Sequence, residues 1–429
     1  MELIIKLKQH TPIIHFQHDQ KGATLRATEL KPKLDRYIDK LSIYYNGSIL
    51  SSVNKLSEGN NQYRLTISSP AIKETIIPKI LDKKTIKSGA YDSIEPLNSN
   101  PDNKQKLNRS LYFGDVKAMI KYNDVITLTL QSFDRKMLAK VYLALPIMFA
   151  MENFGSRQNK GFGSFYISSF IKMPDGFNDL CETDFLKVED IYKNHIPNNV
   201  YSFECTGDYI KTFKEIFYFY NALKAGTNEG GTYSKSLLWK YLCKKTPPSK
   251  HLIWEKRVMK QHLIGDTLPS PLTFDYQFIR VILGLSPTYE FRSTFYIDKN
   301  KSKKDKPARM DTDYSDTRTL SIPNKVSFSV EDTEPDKEKK IERTTSPLTF
   351  KPIETNNYGY SVYVILKPEL ITNITTHKYS FKEAVSGCNV EMQPPASFDL
   401  KAFIDFAIGE MSSSRVNRFV NGLTVNKIK

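Results

Sequence analysis

The sequence predicts an α+β protein of two domains: a ferredoxin-like (RRM-like) βαββαβ unit, then an α+β domain with a helical insertion. Three observations predict it. Over residues 1–175, segments of period two and of helical period succeed one another as β-α-β-β-α-β. Helical, aromatic-rich segments crowd into residues 208–284, and strand-like runs return only after residue 326. The length of 429 residues suits two or three domains, and 40% hydrophobic with 25% charged residues is the make-up of a chain that buries a core.

The elements follow in order. Residues 2–9 place Leu3, Ile5 and Leu7 on one strand face, and Thr11-Pro12 ends the strand. A polar stretch with His10, His15 and His18 leads to a helix over 29–43, with Pro32 at a first-turn position and Leu34, Tyr37, Ile38 and Leu41 at helical spacing. Residues 62–68 alternate as a strand. Residues 82–120 are a polar, irregular excursion, longer than an ordinary loop and so a candidate for function. Ile126, Leu128 and Leu130 share one face of a strand over 123–131. An apolar helix spans 135–153 with Leu138, Val141, Tyr142, Leu145 and Phe149 in register, and Pro146 is expected to kink it. A glycine-rich loop follows, and residues 164–170 form the last strand of the first domain, 1–175.

The second domain, 176–429, is less regular. Helices are expected at 208–224, 233–244, 252–264 and 273–284, and the insertion fills about 205–285. The stripe Phe213, Phe217, Tyr220 reads as helical core. Residues 298–318 and 331–340 are charged, poor in apolar side chains and read as mobile loops. Strands are expected at 326–330, 347–353 and 359–367, with a helix at 397–411. No short-period repeat is visible.

Bulk chemistry narrows the function. No apolar run reaches the roughly 18 residues of a membrane span, and charges interrupt the first apolar residues too early for a signal peptide. Cys181, Cys205, Cys243 and Cys388 are widely spaced, which supports neither a zinc site nor a disulfide framework and points to a reducing cytoplasm. The net charge is +15, and residues 1–175 carry 26 Lys/Arg against 16 Asp/Glu. Such an excess suits a polyanion, because each neutralised phosphate releases counterions. Charge alone leaves open a merely soluble basic protein.

The sharpest motif is Gly155-Ser156-Arg157-Gln158-Asn159-Lys160-Gly161-Phe162-Gly163. Gly155, Gly161 and Gly163 permit positive φ and close approach of another backbone. Arg157 and Lys160 supply charge for phosphates, and Phe162 is a candidate to stack on a base, to wedge between bases or to buttress the loop. The loop lacks the Gly-Lys-Ser/Thr ending of a Walker A motif. It follows a helix and enters a strand, the reverse of a dinucleotide fingerprint. The plainer alternative is a helix C-cap with solvated charges. Lys21, Arg26, Lys31, Lys33 and Arg36 read either as an RNA-lining stripe or as a solvated helix face. His15 or His18 suits a general base on a ribose 2′-hydroxyl, with Lys21 stabilising charge, or else an exposed loop histidine. Arg109 with Tyr112 and Phe113 mixes a cation with aromatics, as single-strand binders do, although a local satellite core is the commoner explanation of such a cluster. No metal, cofactor or small-molecule site is expected, and no Ser-His-Asp set or paired carboxylates appear.

The text Leu145-Pro-Ile-Met-Phe-Ala-Met-Glu-Asn-Phe-Gly-Ser-Arg-Gln-Asn-Lys-Gly-Phe-Gly-Ser-Phe165 resembles the RAMP superfamily of CRISPR proteins, in the form found in subunit one of the type III-B (Cmr) effector. Thr11-Pro12 and Leu30-Lys31-Pro32-Lys33-Leu34 look like the same family's start, with Lys31-Pro32 where Lys-Gly is usual. Arg343-Thr-Thr-Ser-Pro-Leu-Thr-Phe-Lys351 is similar to an Arg-x-x-Ser-Pro segment of that subunit's second domain. The resemblance covers about 20 residues firmly and the rest loosely. It implies two ferredoxin-like domains and a non-catalytic, RNA-binding place in an antiviral ribonucleoprotein, at the 3′ region of the guide RNA (crRNA) and against target RNA and neighbouring Cmr-type subunits. Gly155, Arg157, Lys160, Gly161 and Gly163 carry over as the RNA-contacting loop. A guide-processing endoribonuclease of the same superfamily, using His15 or His18, is the alternative.

Overall fold

The computed structural model describes residues 1–14, 24–56, 59, 62–69, 74–76, 120–122, 125–196, 199–229, 232–245, 255, 258, 278–285, 288–292, 325–332, 345–376, 378–383, 387, 389–412 and 424–428. The chain is α+β, with antiparallel four-stranded sheets. It divides into two compact units that interleave in sequence: Met1–Tyr218 with Leu348–Leu366 and Gly422–Lys429, and Phe219–Pro347 with Lys367–Asn421. Residues 176–218 and the 348–366 hairpin, expected within a second domain at 176–429, thus lie in the first unit.

In the first unit the order is β1 (Glu2–Gln9), α1 (Ala27–Ile38), β2 (Arg64–Ser68), β3 (Val125–Gln131), α2 (Arg135–Met151) and β4 (Phe165–Lys172). The four strands lie side by side as β2-β3-β1-β4, all neighbours antiparallel. Alternation does the folding here: Leu3, Ile5 and Leu7 of β1 and Ile126, Leu128 and Leu130 of β3 are all wholly buried, while Lys6 and Gln131 on the other face are exposed. Against that apolar face lies α2, whose residues from Val141 to Ala150 are all buried. A helix apolar on every side belongs in the middle of a core. Asp134 starts it by accepting from the Met137 amide at 3.1 Å, a cap worth about 1 kcal/mol. The helix continues through Pro146 to Met151.

A second sheet of this unit is built from β5 (Val200–Thr206), β6 (Leu348–Thr355) and β7 (Gly359–Leu366), in the order β6-β7-β5 with Asn426–Lys427 outermost. Between β5 and the second unit's residues begins helix α3 (Tyr209–Lys224). The second unit holds a four-stranded sheet of Thr288–Arg292, Lys325–Asp332, Tyr379–Glu383 and Asn389–Met392, with helices Leu237–Lys245, Glu369–Thr375 and Leu400–Ser412.

Several expectations need correction. The first helix begins at Ala27, after Arg26, so Pro32 lies inside it instead of in its first turn. The helix expected at 273–284 is a 3₁₀ turn, Arg280–Leu283, in its described part. Phe278 lies before that turn, its amide donating to the Gln393 carbonyl at 3.1 Å. Gly284 then takes a φ of 101°, which no helix continues. Of the charged segment 331–340, Glu331 and Asp332 extend a strand. Residues 82–119, the 298–318 segment and most of 252–264 lie outside the described residues, as does Arg109 with Tyr112 and Phe113.

Candidate nucleic-acid interface

The glycine loop begins where α2 stops, with Glu152 already extended. From there the backbone turns left-handed four times, at Gly155, Arg157, Gly161 and Gly163, with φ of 79°, 60°, 87° and 65°. At Gly163 only hydrogen is admissible, since a Cβ would stand 2.0 Å from the Phe154 carbonyl oxygen. At Gly155 a Cβ would stand 2.6 Å from the Ile14 oxygen. Arg157 accepts the same conformation with a side chain, at a cost of roughly 1–2 kcal/mol.

What holds so contorted a segment is a ring of hydrogen bonds to distant parts of the chain. Phe154 donates its amide to the Gly163 oxygen (2.9 Å), closing the loop's neck. The Ser156 amide donates to Ile14 O and the Gly163 amide to Pro12 O, both at 2.9 Å, and the Thr11 hydroxyl donates to Gly161 O at 2.6 Å. Gly155 donates its amide to a Glu29 carboxylate oxygen of α1 at 2.7 Å. Asn153 Nδ2 donates to Gln158 O (2.7 Å) and to Phe350 O (2.8 Å), tying the turn to edge strand β6. Phe350 in turn donates its amide to Asn159 O at 3.2 Å. Most of the loop's amides are thus spent on its own shape, unlike a phosphate cradle built of backbone N–H groups. Charge for a ligand comes from side chains.

Two buried lysines stand beneath. Lys33 Nζ donates to Asn153 O and to Gln158 Oε1, both at 2.6 Å, with the Glu29 and Glu152 carboxylates 3.7 and 3.9 Å away and the Phe154 ring centroid at 4.5 Å. Lys351 Nζ donates to Glu152 O (2.9 Å) and Phe165 O (2.8 Å). Burial pushes its pKa well below the ordinary lysine value, Glu152 opposing and Lys33 adding to the shift. His10, also buried, accepts at Nδ1 from the Glu354 amide at 3.0 Å. Burial, then the charges of Lys351 and Lys8, lower its pKa well below 6.5.

The expected site residues therefore separate. Arg157 and Lys160 sit half-buried on the same turn, the Lys160 amide donating to Arg157 O at 2.8 Å. Burial and then the Arg157 charge lower the Lys160 pKa to about 8. Phe162, a candidate for base stacking, is only 2% exposed and lies stacked on Phe213 with centroids 4.1 Å apart. Its surface is used inside the protein. Gly161 packs over Pro352 and Ile216, where a Cβ would come within 2.9 Å of Pro352 Cγ.

The basic residues of α1 do not share one face. At about 100° per residue, Lys31 stands roughly 160° around the helix from Lys33. Lys33 turns in under the loop, whereas Lys31 lies 3.4 Å from Asp35 with its ammonium over the Tyr63 ring at 3.6 Å. Arg26 is half-buried at the helix start and Arg36 exposed in its last turn. Lys21, His15 and His18 lie outside the described residues.

Asn153, Glu29, Thr11 and Lys351 support the site without having been singled out for it. Thr11 and Lys351 belong to the segments that carried the family resemblance, which was their only signal. Asn153 lies within the Leu145–Phe165 text that carried the same resemblance, whereas Glu29 had no signal, since its partner Gly155 lies 126 residues away. Among the described residues no group of His, Cys, Asp and Glu is placed to hold a metal ion, and no helix is long and apolar enough to cross a membrane.

Comparison with known families gives two matches that span the chain. The model for the Cmr1 N-terminal domain matches residues 1–227, and that for the Cmr1 C-terminal domain matches residues 233–429. Among solved structures, the crystal structure of apo Cmr1 from Pyrococcus furiosus matches at 10% identity and a TM-score of 0.39, covering 100% of this chain and 98% of that one. A cryo-EM structure of the type III-B Cmr-beta bound to cognate target RNA and AMPPnP, in the presence of ssDNA, matches at 14% identity and a TM-score of 0.36, over 85% and 94% of the two chains. Another of Cmr-beta bound to cognate target RNA matches at 13% and 0.31, over 95% and 98%. No match is found among curated proteins.

Proposed function

The chain belongs to the Cmr1 family, subunits of the type III-B CRISPR effector, and on that premise we propose that its glycine loop grips RNA by the phosphate backbone as a non-catalytic part of the assembly. One observation carries this reading. Two cations, Arg157 and Lys160, stand half-buried on one turn whose shape is fixed from below, and burial first, then the Arg157 charge, lower the Lys160 pKa. Bringing like charges together costs energy that an anion between or above them recovers. Contact through phosphates suits a subunit in which guide pairing supplies the sequence reading. The RNA is guide RNA toward its 3′ region, with the target strand paired to it, and neighbouring Cmr subunits flank the protein. The strand order β2-β3-β1-β4, which is 4-1-3-2 read from the last strand, supports a ferredoxin-like first domain. The face of its sheet away from α2 carries Lys6, Thr127 and Thr129. Its Tyr166, in register with Lys8, is buried with its hydroxyl on Phe185 O, so no aromatic among the described residues there is presented to a base as on RRM sheets, which favours the loop as the point of contact.

The test is RNA binding by the full chain and by the double variant Arg157→Ala, Lys160→Ala, at several salt concentrations. We expect affinity to fall by about 10-fold or more per cation, and the slope of log affinity against log salt to drop by about 1.4, or ~0.7 per lost phosphate contact on a single strand. Unchanged affinity and slope would refute the reading.

A further inference from the structure

The hairpin that borders the glycine loop carries a feature the loop does not use. β6 and β7 are joined by Asn356-Asn357-Tyr358, with Thr355 paired to Gly359. Tyr358 has a φ of 53° and is 92% exposed. Glycine or asparagine fills a left-handed turn position at less cost than a residue with a bulky Cβ substituent. An exposed ring returns none of that cost through burial. The turn is pinned from below: the Gly207 amide donates to Tyr358 O at 3.0 Å, and Gly359 lies so close to β5 that a Cβ would stand 2.4 Å from the Cys205 oxygen. The tip is therefore fixed while its ring meets solvent.

The neighbours indicate what the ring is for. Asn356 and Asn357 are exposed beside it. A lone ring among amides lacks the contiguous apolar centre of a protein–protein interface. It suits a flat partner that stacks on its face and hydrogen-bonds at its edge, which is a nucleobase. Position agrees with this. Strand β6 meets the loop at Phe350 and Pro352, and continues to the tip. From Phe350 to Thr355 it spans roughly 17 Å at ~3.3 Å per residue, a separation that a few nucleotides of single strand bridge from the loop to the tip, passing over the buried Phe350 and Lys351. We propose that Tyr358 is a base-stacking residue for single-stranded RNA whose phosphates are held at Arg157 and Lys160, an inference that rests on the RNA-binding reading above.

The experiment compares the full chain with Tyr358→Asn and Tyr358→Phe, titrating a labelled single-stranded RNA and measuring thermal stability alongside. We expect Tyr358→Asn to fold with undiminished stability and to bind RNA about 5- to 10-fold more weakly at an unchanged salt slope, because a stacking contact carries no charge. Tyr358→Phe retains wild-type affinity. The Arg157→Ala, Lys160→Ala variant in the same titration separates two failures. Loss of binding there with none in Tyr358→Asn overturns the stacking role alone. No loss in either variant overturns the RNA-binding reading as well. Tyr358→Asn that binds RNA normally but no longer co-assembles with the other Cmr subunits assigns the ring to a protein partner, against this inference.

Discussion

Two non-glycine residues with left-handed backbones stand out among the described residues, and they are supported in opposite ways. Arg157 belongs to a turn tied to α1, to the segment after β1 and to β6, with Lys33 buried beneath it. Tyr358 belongs to a hairpin tip held only through its backbone by β5, with the exposed Asn356 and Asn357 beside it. Strain at the loop is held by the surrounding core, so loosening it propagates into the fold. Strain at the tip is local, and its removal costs the fold nothing. A left-handed residue thus says little by itself until its supports are traced.

The largest expected effect tests the loop's side of that contrast. Gly163→Ala places a methyl 2.0 Å from the Phe154 oxygen at a φ of 65°, and unfolding by urea should show a loss of about 3–4 kcal/mol. A loss no greater than that in Tyr358→Asn would erase the distinction. Next comes Lys33→Met, which keeps the stem and removes the ammonium. It leaves the Asn153 oxygen and the two glutamates without their shared cation, and should cost about 2–3 kcal/mol of stability. It should also weaken RNA binding, but not further in the Arg157→Ala, Lys160→Ala background. Additive losses there would make Lys33 a direct RNA contact. The smallest effect is a pH dependence. Lys160 has a pKa of about 8 in the free protein against 10.5 ordinarily. Phosphate binds the charged form, so above pH 8 a proton must be taken up on binding. RNA affinity should fall by up to about tenfold between pH 7 and 9, and Lys160→Ala should abolish that fall. The same depressed pKa gives the opposite sign for folding: between pH 8 and 10.5 the unfolded chain binds the extra proton, so this residue's contribution to stability rises with pH.

Much of the first unit was legible from periodicity. β1, β3, α2 and β4 stand where alternation and helical spacing put them, because each has one face to bury. The segment at 273–284 misled because its end is a short apolar run: Val281, Ile282 and Leu283 are buried in a 3₁₀ turn, and a short buried run carries no period. The hairpin tip was invisible as well. Asn-Asn-Tyr-Gly reads as an ordinary turn, and only the backbone reveals that tyrosine takes the position asparagine or glycine would fill.

The glycine loop shows where the two kinds of information part. Its location, its glycines and its two cations follow from sequence, since left-handed turns need glycine and a loop between a helix and a strand is a local matter. Which basic residues serve a ligand and which serve the fold was decided by tertiary structure alone. Lys33 looks like its neighbours Lys31 and Arg36 in the text, yet its partners Asn153 and Gln158 lie 120 and 125 residues away. Phe162 likewise finds its place against Phe213 and not against a base. A side chain's charge and size are written locally, but the groups that desolvate and bond it come from segments that meet only when the chain has folded.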